Sequence, residues 1–333
     1  MNLKIFYPMI FAMLAVNHMT AKSLVSRIDR VGQPLPPIRH INEMKFHGDT
    51  MLFVYESEDG YGQRFLRRAT IDMADHELVV GPEIGKCGEG YYASYMPYPV
   101  ICADEKVRVV SQDDGEIYDL VNDSVLVSTI TYLFDADVPF PISQYAQDIC
   151  SVASGKYIFV GRKPNGGAQY AMFYDHDSAR IDSIKPICAT PTLTAWMPNI
   201  GELTYSSKAG RLAFAYRLHP VIEIFNLDGS EIKTVQVNEE TFDWSTLDMA
   251  DFETLNPQHF VDVSTAGKYI YALHWGHKYE ESLNSTLYKL DWDGNIIDSF
   301  QLDGVFSNIA VYDENTLVAW NGAELFMLSL NHQ

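Results

Sequence analysis

Acidic and amide side chains recur along the chain near the beginnings of short apolar segments. Placed to within one or two residues, the candidates are Asn42, Glu43, Asp148, Glu202 and Asn308. Carboxylate and amide oxygens that converge on one axis are suited to Ca²⁺. A calcium ion held there would polarise a carbonyl group, which is the chemistry of a lactonase or esterase. The alternative is that these side chains only line a wet channel.

Basic and histidine side chains occupy the ends of other apolar segments. Arg162 and Arg217 are suited to clamping a carboxylate or phosphate, although arginines in an acidic chain more often pair with neighbouring acids. His274 and His277 have a metal-like spacing, but the sequence identifies no third ligand. The chain contains no G-x-S-x-G, H-E-x-x-H or phosphate-binding loop motif, so we assign no catalytic residue.

Aromatic residues concentrate in the long connections between the apolar segments. Tyr91 and Tyr95 lie in GEGYYASYMPYP, Trp196 in PTLTAWMPN and Trp244 in an acidic connection. Aromatic rings around an opening can bind sugar rings, peptides or an apolar ligand. The alternative is that they cover hydrophobic edges of the fold. The acidic connection has no Lys or Arg between Thr234 and Gly267, so it is also a candidate docking surface for a basic partner.

An internal repeat predicts the elements that position these residues. Six β-rich runs, such as MLFVYE and YIFVGR, recur at intervals of about 50 residues. A short strand and a turn precede each run, and a second hairpin follows it. The residues that open the six runs are Thr50, Lys106, Lys156, Arg211, Lys268 and Thr316. Four strands per unit at this period predict an all-β, six-bladed β-propeller of four-stranded antiparallel blades.

The sixth unit lacks a fourth strand, because only three residues follow Leu330. The segment LVSRIDRV at Leu24–Val31 resembles fourth strands elsewhere in the chain. We expect it to pair with the last blade and to close the ring, since closure removes two unpaired sheet edges.

The N-terminus and the charge set expectations about location and partners. Lys4, an apolar stretch from Ile5 to Val16 and small residues near Ala21 predict a signal peptide over residues 1–23, followed by one propeller domain over 24–333. The first cysteine is Cys87, so no lipid anchor is expected at the N-terminus. With 24 Lys and Arg against 44 Asp and Glu, the net charge of −20 argues against nucleic acid or an anionic membrane as partner.

Taken together, the repeats and the exported N-terminus resemble the TolB-like six-bladed β-propeller family. The resemblance covers roughly residues 24–330 and rests on the repeat pattern and the strand closure, without a sharp signature motif. It implies a fold and a protein-binding or ligand-binding role, and it carries over no catalytic residue.

The sequence therefore predicts an exported, monomeric propeller without a transmembrane segment, periplasmic or extracellular. It would bind a protein, peptide or carbohydrate through its aromatic, long-looped face, without catalysis and without a cofactor. A calcium-dependent lactonase or esterase is the alternative, and an assembly component recognised through its acidic connection is the third hypothesis.

Overall fold

The computed structural model describes residues 21–22, 24–32, 37–58, 63–72, 74–85, 97–101, 106–111, 116–121, 125–130, 147–162, 167–178, 180–190, 192–237, 245, 247–248, 254–278, 281 and 284–330. Three short strands come first: β1 (Ala21–Lys22), β2 (Leu24–Arg27) and β3 (Asp29–Gly32).

The remaining strands form six blades, numbered here along the chain. Blade 1 contains β4 (Ile38–His47), β5 (Thr50–Ser57), β6 (Arg64–Asp72) and β7 (Glu77–Ile84). Blade 2 contains β8 (Pro97–Ile101), β9 (Val107–Ser111), β10 (Glu116–Val121) and β11 (Val125–Ile130). Blade 3 contains β12 (Gln147–Ala153), β13 (Lys156–Arg162), β14 (Gln169–Asp175) and β15 (Arg180–Ile187).

The second half repeats the pattern after a single 3₁₀ turn at Met197–Asn199. Blade 4 contains β16 (Gly201–Ser206), β17 (Arg211–Tyr216), β18 (Val221–Asn226) and β19 (Glu231–Gln236). Blade 5 contains β20 (Gln258–Ala266), β21 (Tyr269–His277), β22 (Thr286–Asp291) and β23 (Ile296–Gln301). Blade 6 contains β24 (Asn308–Val311), β25 (Thr316–Trp320) and β26 (Leu325–Ser329), with β2 as its fourth strand.

The first strand of each blade faces the centre of the ring. The six first strands, β4, β8, β12, β16, β20 and β24, contact one another in that order, and β24 returns to β4. The first and second strands meet at tight turns, where Gly48, Gly155, Gly210 and Gly267 have φ between 58° and 66°. Glycine adopts this left-handed conformation without the steric cost that a Cβ imposes. The predicted six-bladed propeller is confirmed.

Hydrophobic packing holds neighbouring blades together. Among the described residues there are six apolar clusters, one at each interface between adjacent blades. The second strands contribute most because they are covered on both faces; Met51 to Tyr55 of β5 are all buried. A strand buried on both faces reads as a continuous apolar run, which explains the repeated runs in the sequence.

The N-terminal segment closes the ring, as the sequence predicts, and also extends beyond the blade that it completes. β2 pairs antiparallel with β26, from Leu24 opposite Ser329 to Arg27 opposite Phe326. The closing strand ends there, and β3 instead pairs parallel with β7 of blade 1. Between them the buried Ile28 packs into the cluster between blades 6 and 1. β1 adds a parallel strand to blade 5.

Two further observations concern the chain as a whole. No helix among the described residues combines the length and the apolar character needed to cross a membrane. Cys150 and Cys188 are free thiols, while Cys87 and Cys102 lie outside the described residues.

Candidate functional site

Four carboxyl groups gather in the central channel, each on a different first strand or blade. Glu43 belongs to β4, Asp148 to β12, Glu202 to β16 and Asp262 to β20. All four line an inner cavity of about 310 Å³, which extends towards the turns between first and second strands. Glu43, Glu202 and Asp262 also line a mouth cavity of about 660 Å³ on the side of the inter-blade connections. The carboxyl groups therefore lie where the two cavities meet.

Two of these carboxyl groups accept a hydrogen bond from the next blade, and we call each of these contacts a latch. Asp148 Oδ2 accepts a hydrogen bond of 2.6 Å from the backbone N–H of Leu203 in blade 4. Asp262 Oδ2 accepts an equal bond of 2.6 Å from Ile309 N–H in blade 6. Leu203 and Ile309 occupy equivalent positions, each opposite the fourth residue of its second strand. The same residue type thus performs the same task at two interfaces, satisfying an N–H that faces the channel.

Irregular backbone brings Asp148 into the channel. The pairing of β12 with β13 shifts between Gln147 and Ile149, so Asp148 lies in a bulge. Its φ is 46°, which is unusual for a residue other than glycine. Aspartate tolerates this conformation better than most residues, and bulges often redirect a side chain near a site. A second bulge, at Asn42 in β4, precedes Glu43.

The inner cavity is electrostatically unbalanced, because four carboxyl groups share few cations. Burial, reinforced by the neighbouring Glu202 and Glu43, raises the pKa of Asp148 well above its usual range. Burial and the same two glutamates raise the pKa of Asp262 well above its usual range. Burial also raises the pKa of Glu43, against the opposing effect of Lys45. The site therefore favours either protonation of these carboxyl groups or the binding of a positively charged ligand.

Two side chains support this carboxyl cluster. Tyr98 Oη donates to Asp148 Oδ1 at 3.1 Å, so both oxygens of Asp148 accept hydrogen bonds. Lys45 Nζ lies 3.5 Å from Glu43 Oε1 and 4.1 Å from the centre of the Tyr98 ring. Burial raises the pKa of the adjacent Cys150 thiol to about 12, so this thiol is not a nucleophile at neutral pH.

The mouth cavity combines charged, amide and apolar groups. Arg217 Nη2 donates to Glu202 Oε1 at 2.6 Å, as the sequence-based alternative of pairing with an acid anticipates. Trp275 Nε1 donates to Phe306 O at 2.6 Å, which fixes the indole in the wall. The other lining residues used below are Arg39, Asn42, Thr254, Gln258, Val261, Val305, Ser307, Asn308 and Asn321.

The five predicted calcium ligands all lie along the channel, but they do not share one lining. Asp148 lines only the inner cavity, whereas Asn42 and Asn308 line only the mouth cavity. Asn308 Oδ1 accepts from Ser307 Oγ at 2.9 Å. Within the described ranges, no three His, Cys, Asp or Glu side chains are grouped closely enough to hold a metal ion. The calcium site stays a prediction.

Apart from His274 and His277, the predicted ligand-binding residues fall into three groups. Asp148, Arg217 and Asn308 line the cavities. Trp196 lines neither cavity; it precedes the 3₁₀ turn, and its N–H donates to Gly167 O at 2.6 Å. Tyr91, Tyr95, Trp244 and the Arg162 side chain lie outside the described residues.

His274 and His277 belong to a histidine cluster beside the channel, together with His219 and His259. His259 Nδ1 lies 3.3 Å from His274 Nε2, and both rings are buried. His277 Nε2 lies 3.3 Å from Asn284 O. Burial, helped by the neighbouring histidines, lowers the pKa of His259 to about 3, and burial lowers the pKa of His274 to about 4. His259 and His274 pack within blade 5, and neither His274 nor His277 lines the inner cavity or the mouth cavity.

Sequence reasoning missed Asp262, Lys45 and Arg39, whereas Tyr98 belongs to the aromatic connection GEGYYASYMPYP. Asp262 had a readable signal, because both DICSVASG and FVDVSTAG carry an aspartate shortly before the turn of a first hairpin. Lys45 and Arg39 had none, since a lysine or an arginine on a strand does not reveal which face it takes when bulges shift the alternation.

Comparison with known proteins gives the fold and no more. No family model matches the chain, and no curated protein matches it. Among solved structures, a member of the DUF4221 family from Bacteroides vulgatus is similar with a TM-score of 0.58 and 9% identity, covering 94% of this chain and 97% of that one.

Two other structures are similar at the same level. A structural genomics protein of unknown function from Bacteroides thetaiotaomicron has a TM-score of 0.52 and 12% identity, covering 93% of this chain and 76% of that one. Regucalcin from Agrobacterium tumefaciens, described as a calcium-binding protein, has a TM-score of 0.51 and 13% identity, covering 91% and 95%. At such identities the likeness extends to the propeller fold. Membership of the TolB-like family stays a prediction.

Proposed function

We propose that this chain is an exported, non-enzymatic propeller that binds a small polar ligand in its mouth cavity. The observation that carries the proposal is the cavity of about 660 Å³ itself, lined by side chains from blades 1, 4, 5 and 6. Ligand sites are concave, with some apolar wall and a few convergent polar groups. Here Val261, Trp275 and Val305 supply the wall, and Gln258, Asn308 and Asn321 supply amides.

A plugging variant tests where the ligand binds. Thr254 is exposed at the rim and lines the cavity, so Thr254→Trp should fill the entrance without disturbing the core. We expect a thermal-shift screen of amino acids, amines, sugars and short peptides to find a ligand that raises the melting temperature, and the plugged variant to lose that shift.

A matched control places the same aromatic ring elsewhere. Ile297 is 50% exposed on the outer strand β23, so Ile297→Trp adds a surface tryptophan far from the channel. It should keep the ligand shift. If the plugged variant keeps the shift as well, the ligand binds elsewhere and the proposal is wrong.

Export is the second part of the proposal and rests on the N-terminal sequence. Removal of residues 1–23 would leave β2 and β3 in place, so processing is compatible with ring closure. Mass spectrometry of the protein from fractionated cells should find a mature N-terminus near Leu24 outside the cytoplasm. An intact Met1 in the cytoplasmic fraction would overturn this part.

The calcium-dependent lactonase or esterase is the weaker candidate, because both Asp148 oxygens already accept hydrogen bonds. Calcium and lactone assays distinguish the two proposals. A calcium-dependent rise in melting temperature that Asp148→Asn abolishes, together with lactone hydrolysis, would favour the hydrolase.

A further inference from the structure

The charged groups of the mouth cavity leave one acid and one base without a counter-charge. Glu202 pairs with Arg217 at 2.6 Å, and Glu43 lies 3.5 Å from Lys45. Asp262 has only backbone donors, Ile309 and Val263, and no cation pairs with it in the part of the chain that the structure describes. Arg39 is exposed and forms no hydrogen bond or ion pair with any described residue.

These two groups lie at different depths. Arg39 is the second residue of β4, nine positions before the turn residue Gly48, and it lies at the rim. Asp262 lies five positions before the equivalent Gly267. The difference of four strand residues, less the bulge at Asn42 in β4, places Asp262 roughly 10 Å deeper than Arg39 along the strand direction.

The wall between the two depths is apolar. Val261 precedes Asp262 and is 9% exposed, and Val305 and the fixed indole of Trp275 line the same cavity. A methylene chain would bury its surface against these groups, at about 25 cal/mol per Å² removed from water. The cavity thus offers an anionic floor, an apolar middle and a cationic rim.

We propose that the ligand of this cavity is an ω-amino acid, a zwitterion whose ammonium group binds at Asp262 and whose carboxylate binds at Arg39. The proposal rests on the proposed function, whose site it shares. An amine alone would leave Arg39 without a partner, and a carboxylic acid alone would meet three carboxyl groups at the floor. An α-amino acid is too short to reach both ends.

Binding of the ammonium group at Asp262 should also release a proton, which is a second testable property of this binding mode. Burial and the two glutamates raise the pKa of Asp262, so an arriving ammonium group displaces a proton from the carboxyl cluster. The affinity for an ω-amino acid should therefore increase as the pH rises from the ordinary aspartate pKa of about 4 through the raised pKa of Asp262, and calorimetric heats should depend on the ionisation enthalpy of the buffer.

The test uses 6-aminohexanoate, with hexylamine, hexanoate and glycine as matched probes, in isothermal titration calorimetry of the full mature chain. We expect 6-aminohexanoate to bind at least tenfold more tightly than any of the other three. Arg39→Gln should reduce its affinity about tenfold, to the level of hexylamine, while leaving hexylamine binding unchanged. Asp262→Asn keeps an oxygen for Ile309 N–H and should reduce its affinity to the level of hexanoate.

Controls separate the possible failures. Arg180 is 69% exposed on the outer strand β15, and Arg180→Gln should change nothing. If Asp262→Asn does not fold, Glu43→Gln takes its place, because Glu43 shares the floor. Equal binding of hexylamine or hexanoate, or an unchanged affinity in Arg39→Gln, would overturn this inference. If none of the four probes binds but another compound gives a shift that Thr254→Trp abolishes, the inference fails and the proposed function stands.

Discussion

A single carboxyl group in the channel has two opposite effects on the stability of the folded state. Asp148 caps the N–H of Leu203 and receives the hydroxyl of Tyr98, yet burial disfavours its charge. A buried acceptor that satisfies a backbone N–H is costly to remove, whereas a buried charge without a counter-ion is itself costly. The hydrogen bonds and the charge of this residue can therefore be separated by mutation.

Asp148→Asn and Asp148→Ala provide that separation. Asparagine tolerates the left-handed backbone, accepts from Leu203 N–H and can donate to Tyr98, so we expect it to be at least as stable as the parent at pH 8. Alanine loses both bonds and should cost about 1–3 kcal/mol. Urea unfolding measures both values, and an alanine variant as stable as the asparagine variant would contradict the latch.

Comparison of Asp148→Asn with the parent also tests how the unfolding free energy depends on pH. The folded state binds the Asp148 proton more tightly than the unfolded chain does, so its contribution to stability is lost as the pH rises from about 4 through the raised pKa. Asp148→Asn should flatten the unfolding free energy over that interval.

His219 makes the opposite contribution. Its Nε2 lies 2.8 Å from Pro198 O, and burial lowers its pKa to about 4. The stability that it provides is therefore present above the unfolded pKa of about 6.5 and is lost as the pH falls towards 4, by about 3 kcal/mol for full titration.

His219→Gln tests this at a single site, because glutamine can donate to the same carbonyl but does not titrate. We expect similar stability at pH 8 and a smaller loss between pH 6.5 and 4 than in the parent. The readout is the urea midpoint across that range. An identical acid slope in both proteins would show that His219 does not carry the effect.

At the scale of elements, the N-terminal strands β1, β2 and β3 each pair with a different blade. We call this segment the strap. β1 pairs with blade 5, β2 completes blade 6 and β3 pairs with blade 1. The buried Ile28 anchors the strap at the interface where the two ends of the chain meet. Blade 6 without β2 would expose the edge of β26, which is a template for aggregation.

Truncations test the strap. A chain that begins at Leu24 should keep the stability of the longer chain, because β2 and β3 remain. A chain that begins at Gln33 should unfold at lower urea concentration and aggregate on size exclusion. Ile28→Ala, in the chain that begins at Leu24, should cost about 2–4 kcal/mol. If removing residues 24–32 leaves the midpoint unchanged, the strap does not close the ring.

At the scale of the whole molecule, charge opposes the compact ring. The net charge is −20, and several carboxyl groups face one another inside the channel. Self-repulsion of this size destabilises a folded state, and salt screens it over a Debye length of about 10 Å at 0.1 M.

Raising NaCl from 0.02 to 0.5 M should therefore increase the melting temperature by several degrees, measured by calorimetry at pH 8. Surface ion pairs weaken under the same conditions, but each contributes at most about 1 kcal/mol. A melting temperature that falls with salt would show that ion pairs, rather than net repulsion, dominate.

The sequence by itself determined the architecture. Each second strand is buried on both faces and therefore appears as a continuous apolar run, and six such runs at a regular interval indicate six blades. MLFVYE and YIFVGR predict β5 and β13, and the missing last strand predicts ring closure. It also placed Glu43, Asp148, Glu202 and Asn308 on the channel, since the start of a first strand must face the centre.

Only the tertiary structure decided what those residues do. The bulges at Asn42 and Asp148 change which side chains face inward, and no local sequence pattern predicts these bulges. The hydrogen bond from Ile309 N–H to Asp262 and the lack of a described partner for Arg39 depend on distances between blades that are remote in sequence. Periodicity specifies a strand and its repeat, whereas the charge balance of a channel is set by which blades meet across it.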